Sequence, residues 1–250
     1  VCQSVGELFS CLPMNKVKLH TLWLLGMLFL MTACGDDDDY YYPSVKLEFV
    51  TVKAGADGLI QSLLPDKGEL LTVAKDRTGS TISPNSARRV ISNYEVNPED
   101  ATAVIYSLQS VVTPEPKGAD DPAFEGGLKY DPVDVTSIWL GRDYLNMILN
   151  VKININSGKQ HVFGMIEESV ESEGDETVVT LSLFHDANGD EENYNRRAYI
   201  SVPLTKYVDE ENPHQTIRIK FKYHTTDKNG VVVESSKYCD PGFEYVPDGN

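Results

Sequence analysis

The stretch MILNVKININ, residues 147–156, sets apolar side chains at every second position, with asparagine or lysine between them from residue 150 on. This period of two is typical of a β-strand with one buried face. Asn156-Ser157-Gly158-Lys159 then predicts a chain reversal. Further strands are predicted at Gln160 to Ile166, Thr177 to Phe184, Arg197 to Leu204 and Gln215 to His224. Short antiparallel strands joined by turns predict a β-sandwich over residues 133–246.

Two connections in this half have contrasting compositions. Asn229-Gly230 predicts a hairpin with a type I′ turn, because both residues tolerate the positive φ that this turn requires, and Val231 to Lys237 is its return strand. Residues 167–176 hold six carboxylates and one apolar residue, Val170. Repulsion between these charges favours a protruding, solvated loop.

The preceding part of the chain predicts a second β domain over residues 45–112. Five short strands without helical periodicity are predicted at Val45 to Thr51, Leu59 to Leu63, Leu70 to Lys75, Arg88 to Val96 and Ala103 to Val112. Their number and spacing favour a small Greek-key barrel or sandwich. Residues 113–132 contain four prolines and three glycines, which predicts a linker without a core.

The N-terminal region has the composition of an export signal. Lys16 and Lys18 precede an apolar run over residues 19–31, and small Thr32 and Ala33 stand before Cys34. This arrangement resembles a bacterial lipobox, so we expect Cys34 to be lipidated; an uncleaved anchoring helix is the alternative. Residues 1–33 would then be an upstream extension and signal peptide, with Met14 as the start. Residues 34–44, with four consecutive aspartates, would be an acidic tether.

Composition limits the partners of the exported chain. The 250 residues include 38 acidic and 22 basic side chains, a formal net charge of −16. Such a balance argues against nucleic acid as a partner, because phosphate binding needs a basic surface. With Cys2 and Cys11 in the extension and Cys34 lipidated, Cys239 has no disulfide partner, and it is interpreted as a structural thiol more readily than a reactive one.

One loop clusters oxygen ligands suited to calcium. Asp186, Asn188 and Asp190 lie within residues 186–193, but the spacing departs from an EF-hand, since glycine is at the fourth position and arginine at the twelfth. The loop is therefore either a calcium site or an Asx-rich connection. No other cofactor is predicted.

The remaining polar residues predict no catalytic site. The histidines at 161, 185, 214 and 224 lack metal-ligand spacing, and no phosphate loop, nucleophile elbow or zinc-protease motif is present. Arg218, Lys220 and Lys222, with Lys152 beside them, would form a basic stripe, interpreted mainly as a solvated strand face. Four aromatic residues are expected to fill the core: Trp139, Tyr144, Tyr199 and Tyr223.

Three segments carry a family resemblance: VDVTSIWLGRDYLN at residues 133–146, Phe184-His185-Asp186, and Arg197-Ala198-Tyr199. Together with Cys34 and its aspartate run they resemble the NigD-like lipoproteins of Bacteroides-type bacteria. The resemblance implies an N-terminal OB-like barrel followed by a C-terminal β-sandwich. It also implies outer-membrane anchoring with surface exposure, and an accessory or bacteriocin-immunity role without known catalytic residues.

The sequence thus predicts a non-enzymatic envelope lipoprotein. It would bind the membrane through the lipid at Cys34 and an unidentified protein or glycan through its β domains. The alternative is a hydrolase that acts on a polysaccharide through carboxylates in a cleft between the domains.

Lipidation of Cys34 is testable in cells. With an alkynyl fatty acid as tracer, we expect Cys34→Ala to abolish labelling, because the thiol is the acyl acceptor. The matched variant Cys239→Ala should be labelled like the natural chain. Unchanged labelling of Cys34→Ala would contradict the assignment.

Overall fold

A computed structural model describes residues 45–173, 176–190, 193–212 and 214–247. This part of the chain is all-β, as predicted, with thirteen strands and two short 3₁₀ turns, Pro122–Phe124 and Thr205–Tyr207. It contains no helix that is long and apolar enough to span a membrane. The predicted signal, Cys34 and acidic tether lie outside the described residues.

The first five strands close into a barrel in the order β1-β2-β3-β5-β4. Their bounds are β1 (Val45–Ala54), β2 (Ile60–Pro65), β3 (Leu71–Asp76), β4 (Ala87–Asn97) and β5 (Thr102–Ser110). Closure comes from the parallel pair β3 and β5, while the other pairs are antiparallel. Val50, Val52, Leu63, Tyr94 and Ile105 are fully buried inside it. Each strand predicted over residues 45–112 is present, and the OB-like barrel is confirmed.

The remaining strands form a sandwich of two sheets, ordered β13-β12-β10-β9-β6 and β11-β8-β7. Their bounds are β6 (Pro116–Gly118), β7 (Asp134–Gly141), β8 (Tyr144–Ile153), β9 (Val162–Glu173), β10 (Glu176–Asp186), β11 (Tyr194–Pro203), β12 (Ile217–Thr226) and β13 (Val232–Tyr245). The alternation is confirmed over residues 147–153, since Met147, Leu149 and Val151 face the core between the sheets. β8 ends at Ile153, and Ile155, predicted on the same face, is 69% exposed.

Two strand pairs in the sandwich are parallel, although antiparallel pairing alone was predicted. β10 pairs with β12, and β6 pairs with β9. The reason is the chain path: β11 crosses to the other sheet between β10 and β12, so β12 returns in the direction of β10.

Within the acidic stretch 167–176, residues 167–173 and 176 belong to paired strands and not to the predicted loop. β9 and β10 remain paired as far as Glu173 and Glu176. Cations opposite the carboxylates make this pairing tolerable: Lys206 meets Glu167, Lys222 meets Glu168 and Arg218 meets Glu176, at 2.6–2.8 Å.

The predicted linker 113–132 packs on the sandwich as part of it. Pro116–Gly118 adds an edge strand to β9, and Phe124 is buried against Ile166 and Phe184. Its ring lies 5.0 Å from that of Phe184. One aromatic anchor therefore gives this Pro- and Gly-rich segment enough apolar burial to be ordered.

The hairpin at Asn229-Gly230 is present, but its turn is not type I′. Only Gly230 has positive φ, at 80°. The Asp227 carboxylate accepts hydrogen bonds from the backbone N–H groups of Asn229 and Val231 at 2.8 Å. This side-chain cap stabilises a longer connection, which β12 and β13 flank as antiparallel strands.

The barrel meets the sandwich through Arg89, which is 4% exposed. Its Nη2 lies 2.5 Å from Asp66 Oδ1, in an ion pair without hydrogen-bond alignment. It also donates hydrogen bonds to Asn146 Oδ1 at 3.1 Å and, from Nε, to Ser201 Oγ at 3.0 Å. The guanidinium lies over the Tyr144 ring. One strand of the barrel is thus bonded to β8 and β11 of the sandwich.

Glycine 141 belongs to the same interface. A Cβ at this position would overlap the Asp66 carboxylate and the Asn146 amide, which themselves are joined by a 2.7 Å hydrogen bond. Arg142 beside it donates to the carbonyls of Pro65 and Gly68. The segment at residues 133–146 therefore supplies much of the sandwich side of the domain interface.

Removing the buried cation should be costly. We expect Arg89→Ala to lower the free energy of unfolding by about 3–5 kcal/mol, because Asp66 would be left as a buried charge without its partner. Arg88→Ala, next on the strand and exposed, should cost within about 0.5 kcal/mol. Urea unfolding measures both. Equal losses in the two variants would contradict the assigned role of Arg89.

Candidate functional site

A cleft of about 350 Å³ opens between the two domains. Three aromatic rings line it: Phe49 meets Trp139 edge to face at 5.3 Å and Tyr199 at 6.2 Å. Leu47 extends the apolar surface and is 70% exposed. The cleft exists because β2 pairs with β1 only from Val50 onward, so the start of β1 is held by β4 alone. We call it the aromatic cleft.

Both carboxylates that line the aromatic cleft have partners inside the protein. Glu48 accepts a 2.9 Å hydrogen bond from the Tyr94 hydroxyl, and Asp66 is paired with Arg89. Burial, and then the hydrogen bond to Glu48, raise the pKa of Tyr94 well above its usual value. Because both carboxylates are engaged by protein groups, the cleft suits binding better than glycoside hydrolysis, which needs a pair of free carboxylates.

A second cleft, of about 480 Å³, runs along β11 beside the first and shares Gln109, Arg197 and Tyr199 with it. Its walls are the end of β5 and the segment from Asn154 to Phe163. Arg196 and Arg197 are exposed along it. Neither guanidinium has a carboxylate partner within the described ranges, which is notable in a chain of net charge −16. We call it the edge groove.

Two histidines that are 24 residues apart in sequence meet at the far end of the edge groove. His161 Nδ1 lies 2.9 Å from His185 Nε2, and His185 Nδ1 lies 3.0 Å from the Asp131 carbonyl. His161 Nε2 faces Asp190 Oδ2 at 3.4 Å. Phe163 stacks on His185. Sequence spacing could not reveal this pair, because it depends on the register that sets Phe163 opposite His185.

The hydrogen bonds of this cluster determine which ring nitrogens of His161 and His185 carry protons. The Asp131 carbonyl can only accept, so His185 Nδ1 is the donor and His185 Nε2 accepts from His161 Nδ1. Burial, the largest influence, lowers the pKa of His185, although the Asp131 carbonyl opposes the change. The cluster thus ties the turn after β10 to the start of β9. It presents a neutral His185 that is 2% exposed and has both ring nitrogens engaged.

The three residues of the predicted calcium loop have separate protein partners. Asp186 Oδ1 accepts from the Asn188 N–H, Asn188 Nδ2 donates to the Gln160 carbonyl, and Asp190 Oδ2 accepts from the Asn154 N–H. Across the described residues, no group of three or more His, Cys, Asp or Glu side chains is arranged to hold a metal ion. Calcium binding stays a prediction.

Other predicted positions have structural roles. Cys239 is half-buried, and its Sγ donates to the Phe221 carbonyl at 3.5 Å. Burial raises the pKa of the Cys239 thiol, which disfavours a reactive thiolate. Arg218 and Lys222 of the predicted basic stripe are paired with Glu176 and Glu168. Tyr223 lies in the core, while Trp139 and Tyr199, expected there too, line the aromatic cleft.

Comparison with known proteins places the chain next to one family. Residues 49–111 match the model of a NigD-like N-terminal OB domain, and residues 116–235 match that of a NigD-like C-terminal β-sandwich domain. No curated protein matches the chain.

Solved structures give the same picture. The chain is 70% identical to a NigD-like immunity protein from Bacteroides caccae, with a TM-score of 0.75, over 84% of this chain and 100% of that one. A protein of unknown function from Bacteroides vulgatus shares the fold at 17% identity and a TM-score of 0.58, over 82% of this chain and 93% of that one.

The lowered pKa of His185 predicts acid sensitivity. Its unfolded value is about 6.5, so the unfolded chain binds more protons below that pH, and the free energy of unfolding should fall as pH drops from 7.5 to 5. We expect His185→Gln to show a shallower fall. The variant His214→Gln, at an exposed position, should follow the natural chain. Identical slopes for all three proteins in urea titrations would contradict the prediction.

Proposed function

The chain belongs to the NigD-like family, and we propose that it is a non-enzymatic binding protein of the cell envelope with an immunity-type role. It would protect the cell that carries it by binding an antibacterial protein or peptide outside the cytoplasm. The description of the 70% identical Bacteroides caccae protein as an immunity protein supports the role. The predicted lipid at Cys34 would hold the two β domains at the outer membrane.

The observation that carries the proposal is the aromatic cleft. Phe49 comes from the barrel, whereas Trp139 and Tyr199 come from the sandwich. Aromatic side chains in a concave site are the residues that most often dominate protein–protein binding, because they bury a large area at a small cost in side-chain entropy. The buried Arg89 network next to the cleft holds both walls in place before any partner arrives.

The charge of the protein fits an extracytoplasmic binder. A net charge of −16 keeps the protein soluble and away from anionic lipid head groups, so that contact with a partner depends on local features. The aromatic cleft and the two arginines of the edge groove are local features that differ from the acidic composition of the chain as a whole.

A protection assay tests the role. The full chain is expressed in a Bacteroides strain that lacks it, and the strain is challenged with culture supernatants of related strains that inhibit its growth. We expect the natural chain to restore growth. Trp139→Ala should weaken partner binding by about 2 kcal/mol, roughly thirtyfold, and protection should fall with it.

The matched control is Tyr194→Ala, which removes an aromatic ring that is 59% exposed and does not line the aromatic cleft. It should protect as well as the natural chain. If the natural chain protects against none of the supernatants, the immunity role is contradicted. If Trp139→Ala protects fully at equal surface abundance, the cleft is not the binding site.

A further inference from the structure

The outer edge of β11 is half covered by the protein itself. β11 is the edge strand of its sheet and pairs with β8 on its inner side. On its outer side, Val112 forms a parallel bridge with Ile200: the Val112 N–H donates to the Tyr199 carbonyl, and the Ser201 N–H donates to the Val112 carbonyl, both at 2.9 Å. Residues 199 and 201 therefore direct their backbone groups outward.

The rest of that edge carries backbone groups without partners. Outward and inward groups alternate along a strand, so the N–H and C=O of Asn195 and Arg197 point to the same side as those of Tyr199. The register with β8 runs without a shift from Tyr194 to Pro203, which preserves this alternation. Over the stretch that the structure describes, neither residue has an outward backbone hydrogen bond.

The edge groove lies along these backbone groups. Its lining includes Val112 at one end, Arg196 to Tyr199 along one wall and Asn154 to Phe163 along the other. From residue 195 to 199 the edge spans about 13 Å, the length of about four residues of extended chain. The space beside an unpaired strand edge suits an added strand, since backbone hydrogen bonds then give affinity without a fixed sequence.

The charges beside the edge indicate which side chains the added strand would carry. Arg196 and Arg197 are adjacent, so they project to opposite faces of β11, and both are exposed without carboxylate partners in the described residues. Asp190, which lines the edge groove with them, is already engaged, because its side chain is 1% exposed and faces His161. Two adjacent carboxylates on an added strand would meet one arginine on each face.

We propose that residues 195–199 of β11 accept an extended segment of a protein partner that carries adjacent acidic residues. This deepens the proposed function, and rests on it, by stating how the partner is held. The segment continues the pairing that Val112 begins, its carboxylates meet Arg196 and Arg197, and its end toward Tyr199 enters the aromatic cleft.

A labelled peptide tests the proposal directly. The probe is a capped hexapeptide of valine and threonine around two central glutamates, titrated with the full chain in detergent and followed by fluorescence anisotropy. Saturable binding at least tenfold tighter than that of the same peptide with two central lysines is expected. N-methylation of alternate backbone nitrogens should weaken binding at least tenfold, because it removes the donors that the strand edge needs.

Charge reversal in the protein supplies the second arm. Arg197→Glu should weaken binding of the acidic peptide at least tenfold, while Lys75→Glu, an exposed charge reversal on β3, should leave it unchanged. Equal binding of the glutamate, lysine and N-methylated peptides, or no saturable binding, would overturn the proposal. Displacement of the peptide by neutral oligosaccharides would assign the groove to a glycan. A dimer in sedimentation that Arg197→Glu dissociates would assign it to a second copy of the chain.

The two proposals can fail separately. If the natural chain protects cells and Arg197→Glu protects equally well, the strand-edge proposal is wrong and the immunity role stands. If the peptide binds as expected but the natural chain protects against no supernatant, the edge is a peptide site and the immunity role is wrong.

Discussion

A single buried guanidinium, that of Arg89, couples the two domains. Placing a charge where its residue is 4% exposed is expensive unless a counter-charge and hydrogen bonds surround it. Asp66 supplies the counter-charge from the barrel side. Asn146 and Ser201 supply the hydrogen-bond acceptors, and both belong to the sandwich. The network satisfies Arg89 only when barrel and sandwich are docked. Such a requirement favours one relative placement of the domains over others.

The rest of the binding surface depends on that placement. β4 is buried on both faces near Arg89: Val90 points into the barrel core, whereas Ile91 packs with Phe49 toward Trp139 and Tyr199. The aromatic cleft is the outer part of this contact, and the edge groove continues it along β11. A partner would therefore meet walls that are already ordered, and less of its binding energy would be lost in ordering them.

The sequence predicts strands well here and their partners poorly. Alternation in residues 147–156 identifies β8, and the five short runs over 45–112 identify the barrel, because a half-buried strand leaves its period in the sequence. Arg89 leaves no such signal, since a strand arginine next to another arginine looks like a solvent-facing residue.

The acidic run at residues 167–176 predicts a solvated loop for a related reason. Its counter-ions, Lys206, Arg218 and Lys222, come from distant segments that the local sequence does not show. His161 and His185 likewise meet only through strand register. The segment at 133–146 carries the family resemblance, but its physical role in the domain interface is visible only in the fold.

The most direct test of a pre-ordered binding surface is hydrogen–deuterium exchange of the full chain with and without an inhibitory supernatant protein that it neutralises. New protection is expected in β11 around residues 195–199 and in β7 around Trp139. Little change is expected at Arg89 and its neighbours on β4, because strand pairing and burial already protect them in the free protein. Protection confined to another surface, such as the exposed valines at the start of β13, or a large gain of protection at Arg89, would contradict a pre-ordered surface at this place.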